Sequence, residues 1–95
     1  MLKFQKCILD RNASPTADVR FIYKLYLSYD YEEPDGYGNV FSIAIAANFD
    51  EKKSIFFNDI TRDEETALKV FNTLVNSKVS AYNAFCVIED LLWGM

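Results

Sequence analysis

Alternating apolar and polar side chains over residues 18–29 constrain the fold of this chain more than any other feature. Because successive side chains on a strand point to opposite faces, this alternation predicts one long strand with a dry side and a solvated side. The rest of the chain must cover the dry side. The apolar parity consists of Val19, Phe21, Tyr23, Leu25, Leu27 and Tyr29, and the other parity includes Asp18, Arg20, Lys24 and Ser28.

A second alternating stretch covers residues 40–49, with Phe41, Ile43, Ile45, Ala47 and Phe49 on one parity. Residues 30–39 separate the two stretches, and Pro34, Asp35 and Gly36 are typical turn formers. We therefore expect the two strands to pair as an antiparallel hairpin. The opposite parity of the second strand is small, so another element or another copy of the chain could pack closely on it.

Shorter strand and loop patterns precede and follow this hairpin. Residues 2–9 are interpreted as a short edge strand, and residues 11–17, with Pro15, as a loop. Residues 50–53 are a polar turn, and residues 54–58 a further antiparallel strand in which Ile55 and Phe57 face the same way.

Two helices are predicted after these strands. Thr61 and Glu64 have the spacing of a capping box that begins the first helix, and Asn76, Ser77 and Lys78 end it. Ser80 is the predicted N-cap of the second helix. The first apolar stripe contains Ala67, Val70, Phe71, Leu74 and Val75; the second contains Ala81, Phe85, Ile88 and Leu92, widened by Ala84, Val87 and Leu91.

These elements predict a single α+β domain over residues 1–95. It contains a three- to four-stranded antiparallel meander with both C-terminal helices packed on one face. The other sheet face is then open, and a partly small and apolar face beside an exposed edge suits a partner. The residues expected there are Arg20, Ile22, Lys24, Tyr26, Ser42, Ala44 and Ala46.

The charge distribution disfavours direct nucleic-acid binding. Residues 1–27 carry five basic and two acidic side chains, whereas residues 28–95 carry five basic and twelve acidic ones. The acidic part lacks the basic cluster that releases counterions from a phosphate backbone. It is interpreted either as a solvated surface or as a docking face for a basic partner.

The cysteine content and the hydropathy pattern favour a cytoplasmic protein. Cys7 and Cys86 are too few for a disulfide scaffold and match no metal motif. Charges interrupt every apolar run near the N-terminus, and no stretch approaches the roughly 20 apolar residues of a membrane span. We expect reduced thiols, with Cys86 buried on its helix.

The chain lacks several residue types and motifs on which common catalytic sites depend. The chain contains no histidine and only three glycines, which excludes serine–histidine or cysteine–histidine nucleophiles and a glycine-rich phosphate loop. The acidic residues between Asp30 and Asp35 lack the spacing of a calcium loop, and adjacent Glu89 and Asp90 project in different directions from a helix. We expect no catalytic residue, metal site or cofactor, and no enzyme activity.

The positions of the tyrosines are the remaining feature of the sequence that bears on function. Tyr23 and Tyr29 belong to the core parity, whereas Tyr26 lies on the opposite face, and Tyr31 and Tyr37 lie in or beside the loop. A tyrosine with one solvated end suits a protein interface, although it also shields backbone at a hairpin tip. The candidate interface is formed by Arg20, Ile22, Lys24, Tyr26, Tyr31 and Tyr37.

Two short motifs carry a family resemblance. Asp59, Ile60 and Thr61 precede the first helix, and residues 87–92 (VIEDLL) close the second. In this order they resemble a family of short bacterial proteins, mostly from anaerobic Gram-positive species, recorded as a domain of unknown function. The resemblance covers roughly residues 20–92. It implies a bacterial origin and a shared fold, with Asp59 suited to capping the helix entry.

The leading functional hypothesis is a small non-catalytic interaction or regulatory protein whose partner is another protein or a second copy of itself, as a homodimer. One alternative is an acidic inhibitor that occupies a basic or nucleic-acid-binding site on a target protein. Another is a small-ligand-binding domain, which requires a pocket with convergent polar groups.

Overall fold

Four strands and two helices follow one another along the chain. The computed structural model describes residues 3–30, 39–48 and 50–93. The order is β1 (Lys3–Ala13), β2 (Phe21–Asp30), β3 (Val40–Ala47), β4 (Asp50–Thr61), α1 (Glu64–Asn76) and α2 (Ala81–Trp93). The strands form one antiparallel sheet in the order β1-β2-β3-β4, and both helices pack against it. The predicted α+β meander with two C-terminal helices is confirmed.

The β2–β3 hairpin has the register that the alternation predicts. Tyr23 pairs with Ile45, and Leu25 pairs with Ile43. Because directly paired side chains share a face of the sheet, these four residues form one apolar layer, and all four are fully buried. The predicted turn at Pro34, Asp35 and Gly36 lies outside the described residues.

Both edge strands are longer than predicted. β1 extends to Ala13 because β2 continues beside it, with Ala13 opposite Phe21. A bulge between Cys7 and Leu9 inserts one residue, which changes the parity of β1 midway and hides its alternation in the sequence. β4 begins at Asp50, which pairs with Ala47 at the end of β3, so the predicted turn over residues 50–53 is wrong.

The first helix begins two residues later than a Thr61 cap would place it. Asp63 is the N-cap, and its carboxylate accepts hydrogen bonds from the Thr66 N–H (3.1 Å) and the Thr66 hydroxyl. These bonds hold the pKa of Asp63 below its ordinary value. Thr61 instead ends β4 opposite Phe41, and its hydroxyl accepts from the Asp63 N–H. Strand pairing thus outweighs the local capping box, and the predicted cap roles of Thr61 and Asp59 are wrong.

A tight connection joins the helices. The Val79 N–H donates to the Leu74 carbonyl (3.0 Å) and the Lys78 N–H to the Val75 carbonyl (3.1 Å), with Lys78 at φ 51°. This is the Schellman arrangement, with a lysine at the left-handed position that glycine usually occupies. The next helix starts at once, because the Ser80 carbonyl accepts from the Ala84 N–H (2.9 Å). Ser80 therefore occupies the predicted N-cap position of α2.

The core lies between the helices and one sheet face. From the predicted stripe of α1 it receives Ala67, Val70, Phe71 and Leu74, all fully buried, while Val75 is half-buried against it. At its centre, Tyr23 is fully buried and donates its hydroxyl to the Val79 carbonyl at 2.7 Å. Burial of the ring raises the pKa of Tyr23 to about 12.

Replacing Tyr23 with phenylalanine tests this hydrogen bond. Tyr23→Phe keeps the ring but leaves the Val79 carbonyl without its partner, so we expect a loss of about 1–2 kcal/mol in the free energy of unfolding. Urea denaturation followed by circular dichroism measures it. The matched control is Tyr82→Phe, which removes a hydroxyl from a ring that is 84% exposed and should cost less than about 0.5 kcal/mol. Equal losses would contradict the assigned bond.

The raised pKa of Tyr23 predicts a specific alkaline instability. Between pH 10 and pH 12 the folded protein keeps a proton that an unfolded tyrosine loses, so stability falls as pH rises through this window and is unaffected below it. The advantage of wild type over Tyr23→Phe should shrink by about 1.4 kcal/mol from pH 9 to roughly pH 11. Urea denaturation of both proteins at the two pH values measures the difference. Parallel pH profiles would show that Tyr23 titrates normally.

Candidate interaction surfaces

The sheet face away from the helices is partly covered by its own side chains. Tyr26 on β2 and Phe56 on β4 meet across β3, with ring centroids 5.6 Å apart. They can do so because the β3 residues between them, Ser42 and Ala44, are small. Ser42 is fully buried as a result, although the sequence placed it on an open face.

Ser42 also anchors an irregular part of β4. Its hydroxyl oxygen accepts from the Asp59 N–H at 3.0 Å and lies 3.3 Å from the Asn58 Oδ1, to which it donates. At this point the β3–β4 register shifts, and Asp59 adopts φ 54°. Asp59 is thus part of a β-bulge, a position where an aspartate tolerates the left-handed conformation better than most residues.

The remaining open part of this face is a shallow depression of about 230 Å³. It contains three of the candidate interface residues, Ile22, Lys24 and Tyr26, each half-buried. Arg20 is exposed and precedes β2, where its backbone N–H and carbonyl pair with Asn48. Tyr31 and Tyr37 lie outside the described residues. The structure therefore brings three of the six candidates together beside Ala44, Ala46 and Ser54.

The three most exposed large apolar side chains among the described residues lie elsewhere, on α2. Tyr82 is 84% exposed, Phe85 is 61% exposed and Trp93 is 82% exposed. Their spacing of three and eight residues places them within about one third of the helix circumference, so they form one aromatic face. The predicted burial of Phe85 is wrong; only Ala84 and Ile88 of α2 are fully enclosed in the core.

The lateral position of α2 explains this exposure. α1 packs over all four strands, whereas α2 contacts α1 and the edge strand β4. A helix at the margin of a two-layer domain buries one stripe, and the rest of its circumference faces solvent. Cys86 is accordingly exposed, not buried as predicted, and Cys7 is exposed as well; both are free thiols.

A groove of about 440 Å³ separates α2 from β4. Asp59 on the bulge and Glu89 on the helix contribute exposed carboxylates to it. None of the described residues that line it is basic. These residues are Phe56, Phe57, Asn58, Asp59, Ile60, Phe85, Ile88, Glu89, Leu92 and Trp93.

Two features bear on catalytic or metal-binding chemistry: clusters of metal-ligating side chains and buried polar atoms without a partner. Among the described residues, no group of three or more histidine, cysteine, aspartate or glutamate side chains lies close enough to hold a metal ion. Every buried side-chain nitrogen or oxygen in residues 5–28, 39–48 and 54–93 has a hydrogen-bond partner. No helix in this part of the chain has the length and apolarity to cross a membrane.

Comparisons of the chain with protein-family models, with curated proteins and with solved structures find no match. The resemblance carried by Asp59, Ile60, Thr61 and residues 87–92 stays a prediction.

Two residues on the same helix test the assignment of its faces. Ile88 is 5% exposed, so Ile88→Ala should lower the free energy of unfolding by about 2–4 kcal/mol. Phe85→Ala should cost less than about 1 kcal/mol, because most of the ring is already in water. Urea denaturation of both variants measures the difference. A similarly large loss of unfolding free energy in both variants would show that Phe85 is part of the core.

Proposed function

We propose that the protein is a small non-catalytic interaction module that acts by binding another protein. The aromatic face of α2 carries this proposal. Large rings such as those of Phe85 and Trp93 gain about 1.5–3 kcal/mol each when a partner removes them from water. Tyrosine and tryptophan are also enriched among the side chains that dominate binding energies at interfaces.

The carboxylates support a non-catalytic role. Glu89 and Asp90 are adjacent on α2 and exposed, so they project about 100° apart around the helix axis. Two acids that act on one bond must face each other across an enclosed site. A binding role uses the same groups as separate surface charges.

Self-association through the open sheet face is the second candidate. Ala44 and Ala46 allow another backbone to approach closely, and Ile22 offers an apolar contact beside them. A small-ligand site at this position has less support, since the depression of about 230 Å³ is below the roughly 300–1,000 Å³ of typical small-molecule pockets. Inhibition of a basic target by an acidic surface is favoured by Asp59 and Glu89, which line the same groove.

The proposal places the protein in a bacterial cytoplasm. The family resemblance supports the bacterial origin. Cys7 and Cys86 support a reducing compartment, because both are free and exposed.

Position-specific photo-cross-linking tests the proposed function. The photoreactive amino acid p-benzoylphenylalanine replaces Phe85 on the aromatic face, Tyr26 on the sheet face, or Asn72, which is exposed on α1. In cells that produce the protein, we expect a discrete adduct from position 85 and none from the Asn72 control. Light-scattering mass at several protein concentrations accompanies the experiment.

The outcomes separate the candidates. An adduct of two copies from position 26, with a mass that doubles in solution, would favour self-association through the sheet face. Absence of a discrete adduct from positions 85 and 26, with a monomeric mass throughout, would overturn the interaction function.

A further inference from the structure

The α2–β4 groove combines two properties that together specify a class of ligand. Its floor and walls are largely apolar, with Phe85, Leu92 and Trp93 from the helix and Ile60 from the strand. Among the residues that the structure describes, its charged side chains are the carboxylates of Asp59 and Glu89, and none of these lining residues is lysine or arginine. An apolar ligand alone would leave these carboxylates facing low-dielectric surface without a counter-charge.

We propose that this groove binds an amphipathic, basic helical segment of another protein. Apolar side chains of that segment fill the groove, and its flanking lysine or arginine side chains pair with Asp59 and Glu89. This inference rests on the proposed interaction function and names the chemistry of the partner. Helix-in-groove binding of this type uses anchors spaced by three or four residues.

The geometry of β4 favours a helix over an added strand. β4 is an edge strand of the described sheet, and an edge normally invites another strand by presenting a regular row of N–H and C=O groups. Here the bulge interrupts that row, because Asp59 has φ 54° and its N–H is bonded to Ser42. An extended peptide therefore lacks a continuous ladder along residues 56–60, whereas a helix needs only the side-chain surface.

The charges also favour a different protein over a second copy. In a symmetric dimer built on this groove, each copy would present the same surface to the other. Each groove carries the carboxylates of Asp59 and Glu89, and α2 contains no basic residue. Pairing two such grooves would bring four carboxylates into one interface without counter-charges from α2, which is unfavourable.

The chain contains a reporter for this site. Trp93 is its single tryptophan, lines the groove and is 82% exposed. Transfer of its indole from water into an interface shifts its fluorescence emission to shorter wavelength. The full chain is titrated with a designed helical peptide of leucine and lysine, the leucines at i, i+3, i+4 and i+7. Two controls are a scrambled peptide of the same composition and a leucine–glutamate peptide with the same leucine spacing.

We expect saturable binding and an emission shift with the patterned leucine–lysine peptide alone, weakened by added salt. The double variant Asp59→Asn, Glu89→Gln should bind it roughly 3- to 10-fold more weakly, as expected for the loss of two exposed charge pairs. Asparagine also tolerates the left-handed backbone at position 59. The matched control, Asp18→Asn with Glu65→Gln, removes two exposed carboxylates elsewhere and should bind within about 1.5-fold of wild type.

Other results would overturn the inference. These are equal effects of the two double variants, equal binding of the scrambled or leucine–glutamate peptide, or binding without a change in Trp93 emission. A dimer dissociated by Phe85→Ala would assign the groove to a second copy. Each of these results is compatible with a cross-link at position 85. The inference about a basic helical partner can therefore fail while the proposed interaction function holds. Absence of any position-specific cross-link would instead overturn the interaction function itself.

Discussion

The hydrogen bond from Tyr23 to the Val79 carbonyl is the contact on which the arrangement of the second layer depends. It joins the centre of β2 to the short connection between the helices at 2.7 Å. That connection is held by the Val79 and Lys78 N–H groups at the end of α1. With both ends of the connection attached, α2 leaves α1 at a defined point. It can then reach the margin of the sheet beside β4, but not the central position that α1 already occupies.

The sequence predicts the centre of the fold better than its edges for a physical reason. In β2 and β3, alternation follows burial directly, since both strands have neighbours on either side and one face under the helices. In β1 a bulge changes the parity midway, and in β4 the register against β3 shifts twice, so a single regular alternation covers neither strand. At Thr61, a local helix-capping pattern competes with strand pairing. Thr61 pairs with Phe41 in the sheet, so it does not cap the helix.

The sequence predicts the exposed aromatic face of α2 only in part. The α2 sequence is apolar around nearly its whole circumference, which indicates either a helix enclosed on all sides or one that exposes apolar surface. A two-layer α+β fold cannot enclose a helix on all sides, and this much follows from the fold class that the sequence predicts. Which stripe stays outside depends on the lateral offset of α2. That offset is set by the connection at Val79 and by the position of β4, neither of which the helix sequence encodes. Phe85 and Ile88 therefore look equivalent in the sequence and differ in the structure.

The bulge in β4 links the buried serine, the sheet edge and the groove. Ser42 is small enough for Tyr26 and Phe56 to meet above it, and its hydroxyl binds the Asp59 N–H that the bulge turns inward. The inward turn removes a donor from the exposed edge, which protects this edge from pairing with another strand. It also places the Asp59 carboxylate on the groove wall shared with Glu89 of α2. One local irregularity thus protects the edge from strand pairing and adds a carboxylate to the groove for which we propose a basic helical partner.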